Sequence, residues 1–185
     1  MLHGYKKVFW GMVFTAFHFN FGPIQILPNF IAILIISSGI KEILIDNEND
    51  SLNMSLKLNN ISAFVSFITF ILPFMGIENS SSNIIFNAIW FNVGSILDII
   101  TIVKLLEGTS QILSDKYNND LGKEYQKKAI KYLWLYPIVV IVSNFNFIFM
   151  SEMLSLGIAI YALIIKIWIM LSFKNLYKDD LQIIK

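Results

Sequence analysis

Asp98 and Lys166 are the two residues of this chain best placed to do chemistry. Each stands inside a long apolar run, 83–106 for the aspartate and 153–173 for the lysine. A charge at mid-membrane costs about 2.5–3.5 kcal/mol on insertion scales, so a chain that keeps one there neutralises it or uses it. At a rise of about 1.5 Å per residue, Asp98 lies about 22 Å along its run from Asn83 and Lys166 about 20 Å along its run from Met153. The two therefore belong at similar depth, and the expectation is an ion pair between them. It serves either to fix one helix against another or to bind a solute or couple protons. A second set consists of side chains near the opposite ends of the apolar runs. His18, Asn20, Gln25, Asn87 and Asn144 are candidates for a pocket near the outer face. For the amides the competing role is capping of helix ends; for His18 it is hydrogen-bonded packing.

Other chemistries have no residues to carry them. The chain lacks H-E-x-x-H, G-x-S-x-G and P-loop patterns. It has two histidines and no cysteine, which leaves little for a metal and nothing for disulfides or thiol catalysis. An intramembrane aspartyl protease needs two aspartates inside the bundle, and only Asp98 qualifies. No catalytic residue, metal or cofactor is assigned, and an enzyme is the less favoured reading.

The elements that must position these side chains follow from composition. Of 185 residues, 56% are hydrophobic and 15% charged, with mean hydropathy +0.64. A soluble domain has about 45–50% apolar and about 25% charged residues, so the expected solvent is lipid. A net charge of +1 argues against a nucleic-acid partner. Apolar runs near the roughly 20 residues that cross a bilayer predict an all-α, single-domain integral membrane bundle over residues 1–185. Its six transmembrane helices fall at about 8–21, 29–45, 61–77, 83–106, 129–150 and 153–173, arranged as three consecutive hairpins with short outer corners. Pro23 and Pro28 make the first corner, because each lacks the N–H a helix needs. Lys6 and Lys7 before an apolar run resemble the start of a signal peptide, but no A-x-A-like site follows, so the first helix is expected to be retained. Residues 46–60 read as a polar connector, with Leu52, Met54, Leu56 and Leu58 alternating as a short strand or interfacial segment would. Residues 107–128 read as a cytoplasmic polar segment, a solvated loop or a short surface helix.

Lysine placement orients the bundle. All fourteen basic residues are lysine. The connections 22–28, 78–82 and 151–152 contain none, whereas every lysine but Lys166 lies in or flanks the N-terminal stretch, the other two connections or the C-terminal tail, with Lys41, Lys104 and Lys131 in the helix ends beside them. Positive residues stay cytoplasmic, which puts both termini inside and the three short corners outside, in the cell membrane. Helix faces follow from packing, since lipid supplies no hydrophobic force between helices and small or polar residues turn inward. The inward stripes are Gly4, Gly11, Thr15, His18 and Gly22 on the first helix, Ser62, Ser66, Thr69, Pro73 and Gly76 on the third, Asn83, Asn87, Gly94, Asp98 and Thr101 on the fourth, and Ser155, Ala159, Ala162 and Lys166 on the sixth.

The corner also carries a resemblance. GPIQILPNFIAILIISSGI, residues 22–40, resembles a signature of small, uncharacterised multi-pass membrane proteins of Gram-positive bacteria, an Ile-Leu-Pro-[Asp/Asn]-Phe-Ile run joining the first two helices. Here Gln25, Asn29 and Ala32 stand where an acidic residue, Asp and Gly are common. The resemblance implies membrane topology and no activity. Six helices with short outer corners at this length are also similar to the substrate-binding S component of an energy-coupling-factor transporter, although Gly11 and Thr15 replace the alanine pair such proteins use for docking.

Two functions remain. One is a non-catalytic membrane protein acting through a membrane or cytoplasmic protein partner, as a scaffold, regulator or immunity-like protein, with 107–128 as its handle. The other is a solute-binding or transport protein with a small-molecule ligand. A polar pocket favours the second, and a dry, fully packed bundle the first. The absence of native cysteine makes the orientation directly testable. Ser81→Cys should react with a membrane-impermeant maleimide on intact cells, and Asn118→Cys only after permeabilisation; the opposite pattern overturns the topology.

Overall fold

The computed structural model describes residues 2–16, 20–21, 24–25, 28–75, 84–149 and 151–183, with backbone alone at 2, 20–21, 24–25, 73, 75, 84–87 and 178–183. It contains six α-helices: α1 Leu2–Ala16, α2 Asn29–Ile45, α3 Asp50–Ile71, α4 Ile84–Lys116, α5 Asn119–Phe149 and α6 Glu152–Ile183. A 3-10 turn, Leu72–Met75, follows α3. Between α1 and α2, the two-residue strands β1 (Asn20–Phe21) and β2 (Ile24–Gln25) pair antiparallel, Asn20 opposite Gln25 and Phe21 opposite Ile24. Each helix packs against its neighbours in the chain, and α6 returns to pack on α1. The bundle is a closed ring of six helices in sequence order.

Four helical stretches are long and apolar enough to cross a membrane: Asp50–Ile71, Ala88–Lys116, Asn119–Phe149 and Glu152–Tyr177. Their outward faces carry large bare side chains, among them Phe64 at 64% exposure, Trp134 at 74% and Met153 at 88%. Contiguous apolar surface on this scale marks contact with lipid or protein, not water. At about 1.5 Å per residue, α1 and α2 reach only about 22 and 25 Å, short of the roughly 30 Å hydrocarbon layer.

Several expected boundaries move. The first helix, expected at 8–21, is Leu2–Ala16, so Lys6 and Lys7 lie within it. The connector expected over 46–60 shrinks to its first few residues, because α3 starts at Asp50. Asn49 caps it, its side-chain carbonyl accepting from the Leu52 N–H at 2.9 Å, which satisfies one of the free donors of a helix start. The alternating leucines there are not a strand. The buried positions are Leu52, Ser55, Asn59 and Ser62, spaced three and four apart; the helical period is written in polar letters and hydropathy alone misses it. The polar segment expected as a loop over 107–128 is also helical. Only Tyr117 and Asn118 interrupt the chain between α4 and α5, and the Asn118 side chain accepts from the Asp120 N–H at 2.8 Å to start α5. Inside this helical hairpin Gly122, Tyr125, Ala129, Tyr132, Tyr136 and Val139 are buried. That three-four alternation is a heptad seam, and the charged residues between its positions had hidden it.

Two contacts set the approach of α1 to α2. A Cβ on Gly39 would stand 2.6 Å from the Gly4 carbonyl oxygen and 2.8 Å from the Val8 nitrogen; one on Gly11 would stand 3.0 Å from the Ala32 carbonyl oxygen. The backbones touch, as small-residue packing in lipid requires. The ring is closed on the other side of α1 by Tyr5, stacked on Phe173 at 6.2 Å, and by Phe9 against Tyr177 at 5.7 Å. Overpacking of this kind costs about 1–3 kcal/mol. Gly39→Val should therefore lower the melting temperature of the detergent-solubilised protein by several degrees, whereas Gly157→Ala, where a Cβ meets nothing within 4 Å, should leave it unchanged or slightly raised.

Candidate functional site

The ring encloses two confluent cavities. The deeper has a volume of about 130 Å³ and is lined by residues of α1 through α6, including Met12, Thr15, Asn59, Thr101, Tyr132 and Ile169. The wider, about 460 Å³, runs between α3 and α4, past Ser62, Ser66, Thr69, Trp90, Gly94 and Ser95. Five residues line both: Asn29, Ile33, Asp98, Tyr136 and Lys166. Asp98 and Lys166 therefore stand where the two spaces meet.

The structure brings the two charged residues to one site without closing them on each other. The Asp98 carboxylate is within electrostatic reach of Lys166, and it acts on the Tyr132 and Tyr136 hydroxyls. No direct ion pair at 4 Å or less joins Asp98 to Lys166; the ion pairs among the described side chains, such as Lys7 with Glu42 at 3.1 Å and Lys104 with Glu107 at 2.7 Å, lie elsewhere. Asp98 is deep in the bundle yet more than a third of its side chain is accessible, because it faces open space and not packed neighbours.

The walls around this space are fastened by hydrogen bonds. On α3, the Asn59 side-chain amide donates to the Ile33 carbonyl at 2.8 Å and to Ser37 Oγ at 2.9 Å. Ser37 Oγ in turn donates to Asn60 Oδ1 at 2.7 Å. Ser55 Oγ donates to the Thr101 carbonyl at 2.9 Å, tying α3 to α4. Trp90 Nε1 donates to Thr69 Oγ1 at 3.1 Å beside the wider cavity. Tyr125 Oη donates to the Ser172 carbonyl at 2.5 Å and holds α5 on α6. In α5, Pro137 follows the cavity residue Tyr136, and its ring nitrogen leaves the Leu133 carbonyl without a helix donor. Against this background two buried hydroxyls have no partner in the protein: Thr101 Oγ1, from a residue 3% exposed, and Ser62 Oγ, from one 8% exposed. Each residue lines one of the cavities.

Of the second candidate set, only the Asn144 side chain is described. His18 and the side chains of Asn20, Gln25 and Asn87 lie outside the described residues. Asn144 is described, and it is occupied elsewhere. Its amide donates to Asn92 Oδ1 at 2.9 Å while Asn92 donates back at 2.8 Å, and each also donates to its own helix, at Val140 and Ala88. It forms a reciprocal clamp between α4 and α5 and lines neither cavity. The residues that reading by sequence missed are Asn59, Tyr132 and Tyr136. Asn59 fell in a presumed connector, and the tyrosines lay in an apolar run whose inward face was not assigned. Their seven-residue seam with Tyr125 and Ala129 was the available signal. Among the described residues no group of three histidine, aspartate or glutamate side chains is placed to hold a metal.

No protein-family model, curated protein or solved structure matches the chain. The site is therefore read from its own geometry. Loss of a satisfied buried amide costs about 1–3 kcal/mol because it strands its partners, while a hydroxyl with no partner gives nothing back. Asn59→Ala should thus destabilise the protein by about 1–3 kcal/mol, and Thr101→Val should leave thermal stability in detergent near that of the parent.

Proposed function

We propose that this chain is a six-span membrane protein that binds a small polar solute in the cavity between its helices, of the solute-binding or transport type. In this reading the two shorter helices α1 and α2 also cross the membrane, both termini are cytoplasmic and the lysine-free corners face outward. The carrying observation is the confluent space at Asp98 and Lys166, two charged residues that line it without forming an ion pair. A bundle held together only for its own stability has no reason to keep an aspartate and a lysine apart in such a space. Unpaired charges and stranded hydroxyls are costly in a low dielectric, and a ligand or ordered water relieves that cost. Intramembrane ionisable residues most often mark a solute or proton pathway. The similarity to the S components of energy-coupling-factor transporters, drawn from helix number and corner length, is consistent with this assignment.

A second reading, action through a protein partner, keeps support from one feature. The α4–α5 hairpin continues well beyond the hydrocarbon: α4 is 33 residues, about 50 Å at 1.5 Å per residue. Its end presents Asp115, Lys116, Asp120 and Lys123 to solvent, a surface a cytoplasmic protein can read.

Extraction in mild detergent followed by native mass spectrometry separates the two. Solute binding predicts a non-lipid small molecule released from the parent protein and reduced at least tenfold in Asp98→Asn. A preparation that carries only lipid, or a bound protein unaffected by Asp98→Asn, overturns it.

A further inference from the structure

The charges in the cavity specify a class of ligand. The site holds one acidic and one basic side chain, and they do not touch. A cation alone would satisfy Asp98 but meet Lys166; an anion alone would satisfy Lys166 but meet Asp98. A neutral solute would leave both without a direct ion-pair partner, in a space where such a partner offsets the cost of burying a charge. Collapse of the pair onto itself would satisfy both, but the observed arrangement keeps the two apart around open volume. A molecule that carries one positive and one negative group relieves both at once and brings no net charge into the membrane.

We propose that the cavity takes a zwitterion with one amine and one carboxylate, the amine on Asp98 and the carboxylate on Lys166. This rests on the solute-binding reading above. Thr101 lines the deeper chamber and Ser62 the wider one, each with a hydroxyl that has no partner in the protein. The deeper chamber, about 130 Å³, is slightly smaller than the apolar cavity of about 150 Å³ that holds benzene. Met12, Ile102 and Ile169 furnish its apolar wall. The expected ligand is therefore a small zwitterion with a modest apolar side chain, of α-amino-acid type.

The test uses the full chain in mild detergent and three matched probe sets. Leucine is compared with 4-methylpentanoate and 3-methylbutylamine, phenylalanine with 3-phenylpropanoate and 2-phenylethylamine, and glycine with acetate and methylamine. Binding is read by thermal shift and by calorimetry. At least one zwitterion should bind ten or more times tighter than both of its singly charged analogues. Asp98→Asn should erase the preference over the acid, and Lys166→Gln the preference over the amine. Melting temperatures of the ligand-free variants within a few degrees of the parent show that the fold is kept; if either variant unfolds, the parent's ranking of the three probe types alone decides. Equal binding of a singly charged analogue, or binding only of an uncharged solute, overturns the zwitterion while leaving solute binding intact. Absence of every non-lipid ligand, in these titrations and in native mass spectrometry, overturns both.

Discussion

A polar group on a membrane helix must find its partner inside the protein, because lipid offers none. This constraint organises the whole ring. Many small and polar residues turn inward, although Ser155 and Ala159, expected on the inward stripe of α6, are exposed. The inward ones are largely spoken for: Asn59 by α2, Ser55 by the backbone of α4, Asn144 by Asn92 and Tyr125 by α6. Each bond between helices does what hydrophobic burial does in a soluble core, since oil outside a membrane bundle is no worse a neighbour for leucine than oil inside it. Among the described side chains, the accounting does not close for Glu42 Oε2, Asn47 Oδ1, Thr101 Oγ1 and Ser62 Oγ. Of these residues, Thr101 and Ser62 join Asp98 and Lys166 in lining the hollow between the helices.

The ring depends equally on how closely its first two helices approach. Gly4, Gly11 and Gly39 remove side chains along the α1–α2 seam, so dispersion and carbonyl contacts act at backbone distance. On the far side of α1, aromatic contacts with Phe173 and Tyr177 take over. The contrast has a geometric result. The glycine seam is tight and leaves no room, whereas the wider cavity lies between α3 and α4, where Gly94 makes space that nothing fills.

Much of this was legible in the residues. Apolar runs near twenty residues marked the helices, and the inward stripes placed Asp98 and Thr101 together on α4 and Lys166 at a matching depth on α6. What was hidden had a common cause. Hydropathy marks where a chain meets lipid, not where a helix begins. The first turns of α3, with Ser55 and Asn59 buried, and the α4–α5 hairpin, with Gly122 and Tyr125 buried, are polar stretches that stay helical because their inward faces pack. Spacing at three and four residues carried that information, and polarity masked it. The amide Asn144 illustrates a different limit: composition can nominate a polar residue for the interior but cannot say whether its bonds are already taken.

The return of α6 onto α1 has a consequence for assembly. The deeper chamber takes Met12 and Thr15 from α1 and Lys166, Ile169 and Met170 from α6. Until α6 packs on α1, Asp98 has no opposing charge and one wall of its chamber is missing. The chamber is thus complete only once α6 packs on α1, and contacts among the other five helices leave it open on one side.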